Sequence, residues 1–281
     1  MKPITLIALD LDGTLFNSKS IISKENLQTI RCAVDSGVTV VISTGRPYSG
    51  LPLEQLKGTG IQYAITTNGS AIYEIDSRRC VCEECIPNEI SFPIIEFLLT
   101  KDMHFDAFIQ GNAYSPNKCL EAARQLQIPD SLKKYIIDSR IRVDDILAYI
   151  TDHHLEIQKM TLNFHPDENG VLIARDEVKE FLLKNPAINV VCGGFNNLEF
   201  TKAGIDKGVG LSRLAEYLHI PMEQTMAIGD TENDLAILKA AAIGVAMGNA
   251  PQEIKQQADY ITLSNENSGV AAAIQHFLFS I

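Results

Sequence analysis

An apolar run that ends directly in two carboxylates constrains this chain more than any other feature. Ile4-Thr5-Leu6-Ile7-Ala8-Leu9 reads as a buried β-strand, and Asp10-Leu11-Asp12-Gly13-Thr14-Leu15 follows without a spacer. In extended chain, residues i and i+2 point to the same side. Asp10 and Asp12 are therefore expected to face one small volume just beyond the sheet edge. In open α/β sheets that crevice is where ligands bind. Two carboxylates placed there repel each other unless a cation or a shared proton intervenes. Asp-Gly is also a common turn dipeptide, so the motif read alone leaves open a strand running into an acidic turn.

Two further strand-like runs end in polar clusters. Val38-Thr39-Val40-Val41-Ile42 ends at Ser43-Thr44-Gly45-Arg46-Pro47. A glycine there lets backbone N–H groups approach an anion, and a small hydroxyl donates to a phosphate oxygen; an ordinary loop with a Ser or Thr helix cap reads the same way. Thr225-Met226-Ala227-Ile228 ends at Gly229-Asp230-Thr231-Glu232-Asn233-Asp234. Asp230 follows its strand as Asp10 does. Asp234 opens an apolar helical pattern, where an acidic residue is favoured by the helix dipole alone. Lys207-Gly208 begins a helix carrying Leu211, Leu214 and Leu218.

Asp-x-Asp-Gly-Thr-Leu, Ser-Thr-Gly-Arg, Lys-Gly and Gly-Asp-x-x-Asn-Asp, in this order, resemble the haloacid dehalogenase superfamily, and most closely its Cof-like branch of small-molecule phosphatases. The resemblance extends over residues 4–277 and takes in Thr67-Asn68-Gly69-Ser70 and Met247-Gly248-Asn249-Ala250. It implies a Rossmann-like parallel-sheet core of residues 1–85 and 202–281. Into that core a smaller α/β cap of the type IIB kind, residues 86–201, would be inserted. It implies Asp10 as a nucleophile that becomes an aspartyl phosphate, and Asp12 as general acid and then base. Leu11, Thr44, Gly45, Lys207 and Asn233 would hold the phosphoryl group. Mg²⁺ would be bound by Asp10, the Asp12 backbone carbonyl and Asp230, with Asp234 in support. Lys159 and Asn196 in the inserted segment are candidate substrate contacts. The chemistry suits these residue types: an ionised carboxylate needs no activating base, and a hard cation with a lysine offsets its repulsion from phosphate.

Composition narrows the partners. The 281 residues are 46% hydrophobic and 21% charged, with a formal net charge of −11. No Lys/Arg block interrupts that acidity, which argues against a nucleic-acid surface but not against a small phosphorylated metabolite. No apolar stretch approaches the ~18 residues that span a bilayer, and Asp10 cuts short any leader-like run. Six cysteines without a secretory signal suggest reduced thiols in the cytoplasm. Cys80, Cys82 and Cys85 lack a fourth ligand nearby for a closed zinc site.

Along the chain, Ser23 is expected to cap a helix carrying Leu27, Ile30 and Val34, ended near Gly37. Strands are expected at 38–42 and 61–66. The inserted segment shows helical signals at 91–100, 117–126, 143–150 and 175–184, with strand signals near 104–109, 157–164 and 187–192. Strand–helix alternation then resumes, including a helix with Pro251 at its first position. His153-His154 reads as a solvated helix end, and Gly208-Val209-Gly210 lacks the context of a dinucleotide fingerprint. Tyr114 and Phe195-Asn196-Asn197 lie in the inserted segment, where contact with a leaving group is open to them, with packing or turn roles expected for most. The leading reading is a Mg²⁺-dependent phosphomonoesterase. The alternative is a catalytically weak phosphate-binding regulatory or sensor protein on the same fold.

Overall fold

The run before Asp10 forms β1 (Leu6–Leu9), all four residues buried, in a computed structural model that describes residues 2–279. Ser23 caps α1 (Lys24–Asp35) by accepting from the Asn26 N–H, and Gly37 leaves that helix at φ +89°. Then come β2 (Thr39–Ser43), the short α2 (Leu53–Leu56), β3 (Tyr63–Thr66), β4 (Ala71–Glu74) and β5 (Cys80–Glu83).

The next segment alternates differently: α3 (Asn88–Leu98), β6 (His104–Ile109), β7 (Asn112–Pro116), α4 (Asn117–Ala123), α5 (Asp130–Ser139), β8 (Ile141–Val143), α6 (Ile146–Asp152), β9 (Lys159–Asn163), α7 (Arg175–Leu183), β10 (Ile188–Val191) and β11 (Leu198–Lys202). Its six strands lie in the order β10-β11-β9-β6-β7-β8, antiparallel except for β7 with β8. Period-2 alternation divides the sheet. Phe105, Ala107, Met160, Leu162, Leu198 and Phe200 join a core with Ile94, Leu98, Ile150 and Leu182 from the helices. The intervening residues of these strands include His104, Asp106, Lys159, Thr161 and Glu199, which are also buried. Buried charges need partners. Asp106 takes Arg140 at 2.7 Å, and Lys159 takes Glu199 at 2.8 Å. Burial pushes the Asp106 carboxyl up, but Arg140 and His104 outweigh it and hold it at about 2.

The chain closes with α8 (Lys207–Tyr217), β12 (Thr225–Gly229), α9 (Leu235–Ala240), β13 (Ile243–Ala246), α10 (Gln252–Lys255), β14 (Tyr260–Ile261) and α11 (Gly269–Ile274). The first sheet runs β14-β13-β12-β1-β2-β3-β4-β5. Its strands are parallel from β14 through β3, and β4 and β5 are antiparallel additions. On one face, Leu6, Ala8, Val41 and Ile65 pack with Leu211, Leu214, Ile237 and Leu238. Elsewhere Asn26 of α1 accepts from the Ala271 N–H of α11. By contact density the chain forms two units, Met1–Arg46, Leu51–Glu83 and Asp206–Ile281 in one, Pro47–Gly50 and Glu84–Ile205 in the other. The architecture is α/β: a Rossmann-like core and a second, smaller α/β unit.

Several elements depart from the sequence reading. β7, β8, β11 and α5 were not anticipated. β8, with three residues, is too short for a periodic signal, whereas α5 carries one that the sequence reading passed over, Leu132, Tyr135 and Ile136 at i, i+3 and i+4. Pro251 caps α10 rather than occupying its first position.

Candidate active site

β1 lies between β12 and β2, parallel to both. From β1 the chain proceeds outward through β2 and β3, and later returns to extend the other side through β12, β13 and β14. The β1–β12 boundary is thus a topological switch point, where a crevice opens at the carboxyl ends of the strands. Asp10 follows β1 and Asp230 follows β12, so both sit at that crevice. Asp206 caps α8 by accepting from the Val209 N–H, and this fixes the helix start from which Lys207 projects. Lys207 Nζ donates to Asp10 Oδ1 at 2.7 Å and to Asp234 Oδ1 at 2.6 Å. Asp234 Oδ2 accepts from the backbone N–H groups of Asp230 and Thr231 at 2.9 and 3.1 Å. Thr14 Oγ1 donates to Asp230 Oδ1 at 2.9 Å.

Asp12 does not join this group through its side chain. The strand ends at Leu9, and residues 11–15 form a tight turn closed by Leu15 N–H to Asp10 O and Phe16 N–H to Leu11 O. The expected i, i+2 alternation therefore stops before Asp12. Its carboxylate is gripped by Arg46, with Nε and Nη2 each at 2.7 Å, a bidentate fork. Gly13 makes the turn possible. It sits at φ +85°, and a Cβ there would lie 2.2 Å from Asp230 Oδ2. Asn249 Nδ2 donates to the Gly13 carbonyl at 2.8 Å.

One oxygen from each of Asp10, Asp230 and Asp234 lies within 4.8 Å of the others. All three residues are buried, as is Lys207. Three carboxylates thus share one ammonium. Burial and Asp234 push the Asp10 carboxyl well above the usual range, against the pull of Lys207. Burial and then Asp234 push Asp230 up to about 7. For Lys207, burial works against the charge, but Asp10 and Asp234 outweigh it and raise its pKa. A buried, all-oxygen donor set with surplus negative charge suits a hard divalent cation such as Mg²⁺.

These shifts have a sign that can be tested. Carboxyls raised in the folded state lend stability that is complete below their unfolded values near 4 and lost as pH rises through the folded values. For Asp230 the window is about pH 4 to about 7. The metal-free protein is expected to lose at least about 3 °C of Tm between pH 5 and pH 8, the equivalent of roughly 1 kcal/mol in a chain of this size. Adding Mg²⁺ should restore more Tm at pH 8 than at pH 5. Scanning calorimetry in EDTA and in Mg²⁺ checks both, and a metal-free Tm that rises over this window contradicts the assignment.

The other candidates from sequence lie as follows. Thr44 is buried at the end of β2, its Oγ1 accepting from the Arg46 N–H, and Gly45 is the next residue of that turn. Leu11 is fully buried at the start of the tight turn. Asn233 is half-buried, and its Nδ2 donates to Asn68 Oδ1 at 3.4 Å. Asn68, which the sequence reading did not single out, follows β3 at φ +54°. Its N–H donates to the Thr44 carbonyl, so it joins the Thr44 and Asn233 loops. Arg46 and Thr14 were also missed as site residues, although each stood inside a quoted motif. Lys159 and Asn196 belong to the second unit: Lys159 is buried against Glu199, and Asn196 is exposed with its carbonyl accepting from Arg175 Nε. All six cysteines are free. Among the described residues the carboxylate trio is the one group of His, Cys, Asp or Glu spaced to hold a metal, and no helix is long and apolar enough to cross a membrane.

Comparison with known proteins places this geometry among relatives. The family model described as haloacid dehalogenase-like hydrolase matches residues 7–274. The chain is 34% identical to the 5-amino-6-(5-phospho-D-ribitylamino)uracil phosphatase YcsE of Bacillus subtilis, over 98% of this chain and 96% of that one. It is 30% identical to the phosphatase YwpJ of the same organism, over 97% and 99%. A solved haloacid dehalogenase-like hydrolase from B. subtilis superposes with a TM-score of 0.83 at 29% identity, covering 98% of this chain and all of that one. Another from Bacteroides thetaiotaomicron gives 0.77 at 30% identity, over 97% and 99%.

Proposed function

The chain belongs to the haloacid dehalogenase-like hydrolases and is a phosphatase of that family, and from this premise we propose that it hydrolyses small phosphomonoesters through an aspartyl phosphate on Asp10. The observation that carries the reading is the position of Asp10 at the switch point, one oxygen held by Lys207 beside Asp230 and Asp234. Attack requires Asp10 ionised. Lys207 favours that form, and its ammonium is positioned to meet the phosphoryl oxygens as well. Asp234, with one oxygen on Lys207 and the other on two backbone N–H groups, orients the lysine and the Asp230 loop. Asp10 and Asp230 would hold Mg²⁺, with Asp234 behind them and the Asp12 carbonyl adding an oxygen. When bound, the ion supplies the positive charge that lets two carboxylates and a phosphate share the crevice.

Thr44, Gly45 and Asn233 would complete the phosphate cradle with a hydroxyl, a backbone N–H and an amide, and Asn68 would brace two of the three. Asp12 would protonate the leaving alkoxide and later take a proton from the hydrolytic water. To do so it turns out of the Arg46 fork, which otherwise fixes the carboxylate at the mouth of the turn. The second unit, residues 86–201, would act as a cap that excludes water and contacts the leaving group. The substrate class would be a sugar, nucleotide or cofactor phosphate, and the ribitylaminouracil phosphate named for its relatives falls within it. A reduced, cytoplasmic setting fits the six free thiols.

Turnover of p-nitrophenyl phosphate should vanish in EDTA and return with Mg²⁺. Asp230→Ala should raise the half-saturating Mg²⁺ concentration at least about tenfold. An unchanged Mg²⁺ titration in that variant would show the metal placed wrongly. Absence of any turnover in the wild type would favour the sensor reading.

A further inference from the structure

We infer that the Arg46 fork is an anion site held by a carboxylate of the chain itself, and that it selects phosphomonoesters carrying a second anionic group a few bonds from the ester oxygen. The inference rests on the phosphatase reading and narrows its substrate class. The substrate's second anion, most simply a carboxylate like the one it replaces, displaces Asp12 from Arg46. The freed Asp12 then turns to the leaving oxygen.

Arg46 is built as a fixed receptor. It follows β2, which pairs with β1, so it stands at the same sheet edge as Asp10. Its N–H donates to Thr44 Oγ1 at 3.1 Å, and its carbonyl accepts from the Thr67 N–H at 3.0 Å. Its side chain is 16% exposed, and Cζ lies 5.2 Å from the centre of the buried Phe16 ring, which holds the guanidinium plane. Nε and Nη2 point together at one carboxylate. A planar pair of donors in that arrangement accepts any carboxylate or phosphate group. The present occupant is the more exposed partner: the Asp12 side chain is 54% exposed.

The reaction requires that occupant to leave. As general acid, Asp12 must come within hydrogen-bond reach of the leaving oxygen, and the fork holds both of its oxygens elsewhere. A change of staggered rotamer carries an Asp oxygen by only about 4 Å. The anion site and the leaving oxygen are therefore roughly 7 Å apart at most, once a hydrogen bond is added. Asp12 is also near enough to the crevice for its charge to add to those that raise Asp230. An ester with no second anion must open the fork and put nothing in its place. An ester with a carboxylate one to three carbons from the ester oxygen exchanges one anion for another. The exchange is nearly neutral in the bound ground state, so its advantage is realised in the step where Asp12 acts. It should appear in kcat rather than in KM.

The test compares 2-phosphoglycolate with ethyl phosphate, in which a methyl group replaces the carboxylate, both in Mg²⁺. The wild-type kcat should be at least about tenfold higher for phosphoglycolate, the low end for a hydrogen bond to a charged group. Arg46→Ala should lower that kcat ratio at least about tenfold, and Arg46→Lys, which keeps the charge without the fork, should lower it in part. A structural role for Arg46 would lower both esters alike, so an unchanged ratio in Arg46→Ala overturns the inference. A wild-type preference lying wholly in KM also overturns it, because Arg46 would then be a simple binding group with no exchange. Binding gives a second reading that leaves Arg46 in place and so stands if Arg46→Ala fails to fold. In an Asp10→Asn background, adding Asp12→Asn removes the charge of the internal occupant. Calorimetric titration in Mg²⁺ should then show the affinity for phosphoglycolate relative to ethyl phosphate rise at least about fivefold, and an unchanged ratio overturns the inference while the phosphatase reading stands. If the wild type cleaves neither these esters nor p-nitrophenyl phosphate, the phosphatase reading fails first and the exchange falls with it.

Discussion

Asp10→Asn should cost at least about three orders of magnitude in kcat while leaving the fold intact. The amide matches the carboxylate in shape and can still accept from Lys207 through its oxygen, but it cannot attack phosphorus as an anion. The same change removes one of three carboxylates that share a single ammonium. The metal-free variant should therefore be no less stable than the wild type at pH 8. Steady-state turnover, with denaturation followed in EDTA, reads both halves. Retention of even a tenth of the wild-type kcat would remove Asp10 from the nucleophile's role. A large loss of stability would mean that the carboxylate is structural.

Lys207→Met should destabilise the metal-free protein by about 3–5 kcal/mol, as expected when one partner of a buried ion pair is removed. Lys207 is fully buried and supplies the two short contacts to Asp10 and Asp234. Without it, Asp234 keeps its two backbone donors and the Thr231 hydroxyl, and Asp10 loses its cation. Adding Asp234→Asn to Lys207→Met should recover part of the loss, because the lost cation and the neutralised carboxylate are coupled. The penalty should also shrink at pH 5, where raised carboxyls take up protons. Urea midpoints at unchanged m-value give the free energies. A single variant within about 0.5 kcal/mol of wild type would show that the carboxylates do not depend on this lysine.

Strand ends were legible in the sequence because an apolar run that stops at a carboxylate marks both the strand and its exit. Asp10 and Asp230 were found that way, whereas Lys207 at its helix start gained a role only through the resemblance to the family's Lys-Gly motif. The direction of Asp12 was not legible, since alternation applies only while the chain stays extended and the turn begins at Leu11. Asn68 carried a usable signal, an Asn-Gly pair just past a strand. Its role as a brace depends on Thr44 and Asn233, which are remote in sequence. The second unit hid more. β6 was expected at 104–109, but all six of its residues are buried, and nothing in the alternation marks His104 and Asp106 as buried rather than solvent-facing. The partner of Lys159 lies two strands later in the chain, on β11, and a lysine read alone suggests a solvated or ligand-facing charge.

The first sheet is built from two stretches of chain that are synthesised far apart. Leu6 of β1 lies opposite Thr225 of β12, so β1 lacks one neighbour until a strand far along the chain has been made; the neighbouring Thr5–Gln224 contact spans 219 residues. Joining such distant strands through a slack loop is entropically costly and slow. The intervening unit changes the problem, because it leaves and re-enters at nearby points: Glu84 and Lys202 are joined by an ion pair of 2.8 Å. Once that unit has folded, the loop to be closed is short whatever its length in residues. An order of events follows in which the insertion matures first on the ribosome and works as a clasp. Asp10 would then remain without Lys207, which lies 197 residues later, and without Asp230 beyond it, so a nascent chain would carry the nucleophile before it carries the site.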